Sequence, residues 1–146
     1  MIQEVKVKRV NDLAILPTQG SSEAAGWDLY AAIDADIKIP PHSTVKIPTG
    51  LIFELPQYTF GAIFARSGVA TKLGLRPANC VGVCDSDYRG EYIVAMHNDT
   101  DQPQVVPAGA RIAQLVIMPY IPVTMVQTDA LSETERSDGG FGSTGM

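Results

Sequence analysis

Along this chain apolar and polar residues alternate over short runs rather than at helical spacing. Such runs cover 4–10, 44–47, 51–55, 59–65, 92–97, 111–118 and 122–127, each with the length and side-chain character of a β-strand. Between them stand Pro40-Pro41, Pro48, Gly50, Pro56, Pro103, Pro107 and Gly109. These residues lack a donor N–H or tolerate positive φ, so they end strands rather than sit inside them. Residues 69–73 alone read as a short helix, stopped by Gly74. Neither an internal repeat nor a linker divides the chain. The pattern predicts one all-β domain over residues 1–127 and a flexible C-terminal arm, 128–146, where apolar side chains almost vanish.

Length and composition agree with that picture. A chain of 146 residues can bury a real core as one domain. Its 13 glycines and 10 prolines exceed the roughly 12% usual for the pair, favouring turns over long helices. A net charge of −5 offers no broad basic surface, which argues against a nucleic acid polymer as partner. A small anionic ligand would then need focal arginines or a divalent cation. Cys80 and Cys84 lie about 13 Å apart along an extended strand, beyond disulfide reach. They are expected to be reduced thiols and make a poor zinc site. Nothing resembles a leader, and no run approaches the roughly 20 apolar residues that span a bilayer. A soluble, intracellular, cytoplasmic protein without membrane contact is the expectation.

Candidate chemistry concentrates in five segments. In Ala24-Ala25-Gly26-Trp27-Asp28-Leu29, Asp28 is one carboxylate in an apolar strand start; it needs either an ion-pair partner or a hydrated cation. Trp27 is open between core and surface. Arg66-Ser67-Gly68 combines a guanidinium, a hydroxyl and unencumbered backbone at a helix start, a small anion site, although for the triplet alone a capping Ser beside a surface Arg is the favoured explanation. From Asn79 to Glu91, polar or special residues Asn79, Gly82, Asp85 and Tyr88 recur every third position. A hairpin bent at Gly82 would gather them around a pocket; an ordinary turn is the equal alternative. Gly109-Ala110-Arg111-Ile112-Ala113-Gln114-Leu115 alternates like a plain strand, with Arg111 and Gln114 as solvated positions. In the arm, Phe141 is a lone aromatic among glycines, with Arg136 before it and Ser143 and Thr144 after. Those are the parts of a mobile clamp for phosphate and base.

In this order the five segments resemble the five motifs of the trimeric dUTPase family, over residues 24–145. Departures are few. Cys84 stands where an aliphatic such as Ile is usual, Ala78 where Gly is frequent, Ala110 where Asp or another polar residue is frequent, and Ser137-Asp138 replaces a Gly-containing step.

The resemblance implies a distorted jelly-roll, β-clip type barrel of short strands, assembled as a homotrimer. It implies hydrolysis of dUTP to dUMP and pyrophosphate, which limits uracil entry into DNA and supplies dUMP for thymidylate synthesis. Asp85 is then the base for the attacking water. Arg66, Ser67, Gly68 and Arg136 bind the triphosphate, with Mg²⁺ reached through water by Asp28 and Gln114. Asn79, Gly82 and Val83 read uracil, Tyr88 underlies the sugar, and Phe141, Gly142 and Ser143 close over the nucleotide. In the family, each site takes motifs one, two and four from one subunit, the third from a second and the arm from a third. Two rivals are weighed: a dCTP deaminase of related fold, which needs a glutamate to activate water at the base, and a dUTP-binding regulatory protein.

Overall fold

The computed structural model describes residues 2–145. Twelve strands and one helix follow in order: β1 Lys6–Arg9, β2 Thr18–Gln19, β3 Trp27–Tyr30, β4 Ile37–Ile39, β5 Thr44–Pro48, β6 Leu51–Glu54, β7 Thr59–Phe64, α1 Ser67–Leu73, β8 Leu75–Pro77, β9 Gly82–Asp85, β10 Ile93–Asn98, β11 Gln104–Val106 and β12 Arg111–Pro119. Four sheets form, in the orders β1-β6, β5-β10-β8, β11-β4 and β2-β3-β12-β7-β9. All the pairings are antiparallel. The all-β jelly-roll expectation therefore holds, but the ladders do not close into a continuous barrel. Prolines at the strand ends, such as Pro48, Pro77 and Pro119, withhold the donors that would carry pairing from one sheet into the next.

The sheets wrap one core in which Leu29, Ile39, Ile47, Leu51, Leu75, Tyr92 and Met96 are fully buried. Two buried polar side chains stitch loops to it. Asn98 Nδ2 donates to the carbonyls of Ile39, Pro40 and Gln102 while its Oδ1 accepts from Thr100. Thr49 Oγ1 donates to the Tyr92 carbonyl at 2.6 Å. Satisfied in this way, they cost little and fix the loop paths.

Two local expectations are corrected. The helix starts at Ser67, not Val69, and its N-cap is Arg66, in extended backbone (φ −85°, ψ 134°) with no side-chain cap; Ser67 is the first helical residue rather than the capping one. Gly74 ends the helix in the left-handed region, φ 61°, as glycine readily does. Residues 122–127 form no strand and are exposed, because Pro122 lacks a donor and no strand of the same chain lies alongside. Among the described residues no helix is long and apolar enough to cross a membrane, and Cys80 and Cys84 are free.

Candidate active site

The five-stranded sheet places the chemistry. Gln114 on β12 stands directly opposite Asp28 on β3 and opposite Phe64 on β7. A register shift lies between Arg111 and Ala113, since Arg111 pairs with Tyr30 and Ala113 with Leu29. That bulge buries Ile112 and Ala113 consecutively. Arg111 and Gln114, three residues apart, would face opposite sides of a regular strand; the bulge turns both to the face carrying Asp28. The clean alternation read from sequence is corrected here, and Gln114 is half-buried rather than solvated, whereas Arg111 keeps the exposed position expected of it while also lining the Asp28 face.

Asp28 resolves as an ion-pair acid. Arg66 Nε donates to its Oδ1 at 2.8 Å, and Arg111 Nη1 reaches its Oδ2 at 3.4 Å. Gln114 Nε2 donates to the Ala65 carbonyl at 2.8 Å, which leaves the amide oxygen free. That oxygen lies over Gly26, where a Cβ would collide with it. A side chain at position 26 would therefore have to displace the Gln114 amide.

These residues line a cleft of about 510 Å³, with Gly20, Ala24, Ser67, Gly68 and Val116 completing its wall. Two arginines against one aspartate leave it a formal charge of +1 in a chain of −5. The first N–H groups of α1 have no partner within the helix and supply further anion-binding donors. A larger groove of about 790 Å³ is lined by apolar residues such as Val5, Leu16, Trp27, Phe53 and Leu115, with no ionisable group. It lies across the sheet from Asp28, and Trp27 is a half-exposed part of its wall.

The third motif lies elsewhere. β9 runs straight on the far side of β7, pairing Gly82 with Ile63 and Asp85 with Phe60. The bend falls at Asn79 and Cys80, where Cys80 takes φ 63°, and not at Gly82 as expected. Along β9, Gly82 is buried while Val83 and Asp85 face outward. A Cβ on Gly82 would meet Ile63 and lie 3.4 Å from Nδ2 of Asn79, so the Asn79 amide adjoins this backbone. Tyr88 follows a turn from Asp85, packs its ring 6.1 Å from that of Tyr92 and covers Gly90, which has no room for a Cβ.

Asp85 is level with Phe60, and Gln114 with Phe64. Four residues along β7 separate them, about 13 Å. One chain therefore does not bring Asp85 to its own cleft, and Asp85 lies exposed beside Val83 and Tyr88, which are 63% and 47% exposed. Nor does the arm reach the cleft: its hydrogen bonds among the described residues are all local, such as Arg136 Nε to the Gly139 carbonyl. Phe141, Gly142 and Ser143 remain in solvent.

Sequence reasoning missed Arg111 as a cleft residue, because only the bulge turns it to the face that carries Asp28.

Comparison with known proteins places this arrangement. Residues 12–145 match the dUTPase family model. A deoxyuridine 5'-triphosphate nucleotidohydrolase of Desulfitobacterium hafniense is 49% identical, with 99% of each chain covered. The Arabidopsis thaliana enzyme of the same name is 43% identical, covering 97% of this chain and 82% of its own. In structure, a mutant dUTPase of Staphylococcus bacteriophage 80alpha, solved with dUpNHpp, superposes with a TM-score of 0.90 at 25% identity, covering 99% of this chain and 100% of its own. With a cationic cleft built from the first, second and fourth motifs and the family model matched over nearly its whole length, this chain belongs to the dUTPase family.

Proposed function

We propose that the chain is a dUTP diphosphatase, converting dUTP and water to dUMP and pyrophosphate. One observation carries the reading. The chain presents a cationic half-site around Arg66 and Gln114, while Asp85 stands exposed about 13 Å along the sheet. Two incomplete halves on one molecule fit a site completed between copies, and a homotrimer is the assembly proposed.

In such a site the cleft of one subunit takes the triphosphate. Arg66, Ser67 and the free backbone N–H of Gly68 hold phosphate oxygens. Asp28 keeps the Arg66 guanidinium aimed, through the 2.8 Å ion pair. A second subunit contributes Asn79, Gly82 and Val83, whose amide and backbone groups pair with the uracil edge; cytosine reverses the donor and acceptor at two positions and leaves buried groups unpaired. Tyr88 underlies the sugar, leaving no space for a ribose 2′-hydroxyl. Asp85 of that subunit accepts the proton of a water as its oxygen bonds to the α-phosphorus and the bond to pyrophosphate breaks. The arm of the third subunit brings Arg136 to the phosphates and stacks Phe141 on the base, shutting out bulk solvent while the attacking water stays on Asp85.

Enzymes of this family use divalent metal ions, and Mg²⁺ is the ion proposed. Among the described residues no cluster of three His, Cys, Asp or Glu is set to cage a metal, and both Asp28 oxygens face guanidinium groups. That donor set fits a cation that arrives on the triphosphate and is met through water by Asp28 and the free Gln114 oxygen. Held by those two residues, such an ion would supply positive charge against the leaving pyrophosphate.

The deaminase and the purely signalling role gain no support from the family or its relatives. The deciding test is pyrophosphate release with Mg²⁺ from dUTP, dCTP, dTTP and UTP. The proposal requires release from dUTP and almost none from the others; ammonia from dCTP would select the deaminase.

A further inference from the structure

The turn carrying Asn79 is held by a residue outside the five motifs. Arg76, on β8, donates from Nε to Oδ2 of Asp99 at 2.7 Å and from Nη2 to Oδ1 at 3.0 Å, a two-point fork. Its remaining nitrogen, Nη1, donates to the carbonyls of Pro77 and Ala78 at 3.3 and 3.4 Å and to Sγ of Cys80 at 3.2 Å. Asp99 is itself anchored, its N–H donating to the Gly74 carbonyl at 2.9 Å. One guanidinium thus ties the end of β10 to the turn that enters β9.

That turn needs holding. Cys80 has φ 63°, a region disfavoured for residues with a side chain. Among the described residues, the Asn79 side chain forms no hydrogen bond that would fix it. Lysine cannot replace the clamp, because the planar fork serves Asp99 and the turn at once, whereas an ammonium is a single point charge.

We propose that Arg76, braced by Asp99, is a positioning residue for base recognition: it presets the 78–81 turn so that the Asn79 amide and the Gly82 backbone meet the uracil ring as a rigid edge. This rests on the dUTP diphosphatase reading. Rigidity matters twice over. A preset turn spares the ordering cost on binding, and a turn that cannot relax leaves cytosine's groups unpaired.

The test measures kcat and KM for dUTP and dCTP, with Mg²⁺, for wild type, Arg76→Lys, Asp99→Asn and the double variant. Each single change is expected to raise KM for dUTP about tenfold with kcat within about twofold, and to narrow the dUTP to dCTP selectivity. The double variant is expected to be no worse than either single one, since both break the same clamp. Unchanged KM and selectivity would overturn the proposal, as would a fall in kcat and melting temperature with KM intact. A wild-type chain inert toward dUTP would instead remove the functional reading beneath it, and the proposal with it.

Discussion

Arg66 and Asp28 meet at 2.8 Å, Nε to Oδ1, with Arg111 closing on the other oxygen. The pair joins the end of β7 to β3 across β12, so the Arg66 guanidinium is aimed by the sheet itself. The same sheet holds Asp85 at its far edge, and the consequences can be measured.

Replacing the proposed base isolates its role. Asp85 is exposed and forms no ion pair among the described residues, so Asp85→Asn is expected to fold normally and keep its affinity for a non-hydrolysable dUTP analogue. Its kcat should fall by about 10²–10⁴. Near-normal turnover in that variant would remove Asp85 from the mechanism.

Close packing beneath Gln114 is tested at Gly26. A Cβ there meets the Gln114 amide, whereas one at Gly20 meets nothing within 4 Å. Gly26→Ala is expected to lose about 1–3 kcal/mol of stability and to displace Gln114 from the Ala65 carbonyl. Gly20→Ala should melt like wild type. Equal melting of the two would show that Gln114 swings aside freely.

Tyr92 carries an unsatisfied group. Its hydroxyl is buried and makes no hydrogen bond among the described residues; the adjoining Cys84 thiol, a weak partner, does not meet the geometry. Tyr92→Phe should therefore stabilise the protein by about 1 kcal/mol at neutral pH. Burial also pushes the Tyr92 phenol and the Cys84 thiol above their ordinary values of 10.0 and 9.0. As pH rises past those values the unfolded chain loses protons that the folded chain keeps, so stability falls. Urea unfolding from pH 7 into this alkaline window should show a shallower decline for Tyr92→Phe than for wild type; a steeper one would contradict the buried, unpartnered hydroxyl.

The arm makes only local hydrogen bonds among its described residues. Truncation before Arg136 is expected to leave the melting temperature within a few degrees and to abolish most activity. Full turnover by the truncated chain would show the arm dispensable.

Much of this was legible in the residues, and the exceptions have physical causes. Strand β10 announces itself because alternation reports one buried face, whereas β7 and β12 are legible from their length and apolar, β-branched and aromatic residues between turn formers. Two- and three-residue strands such as β2, β4 and β11 are too short for any period to register. Arg111 escaped because a bulge reverses the side on which alternation places it. The run 122–127 has the character of a strand, but a strand needs a neighbour, and pairing is not a property of a segment alone. Asp85 and Arg66 were named from their motifs. Their separation on one chain became visible only once the pairing of β7 with both β9 and β12 was known.

The central claim is that Asp85 of one copy serves the cleft of another, and subunit mixing tests it most directly. Asp85→Asn and Arg66→Ala chains, each inactive alone, are unfolded, mixed in equal amounts and refolded together. Sites shared between copies predict recovery of about one quarter of wild-type activity, the statistical fraction receiving both intact residues. Mixtures no more active than the separate variants, in oligomers shown to have exchanged subunits, would contradict the account.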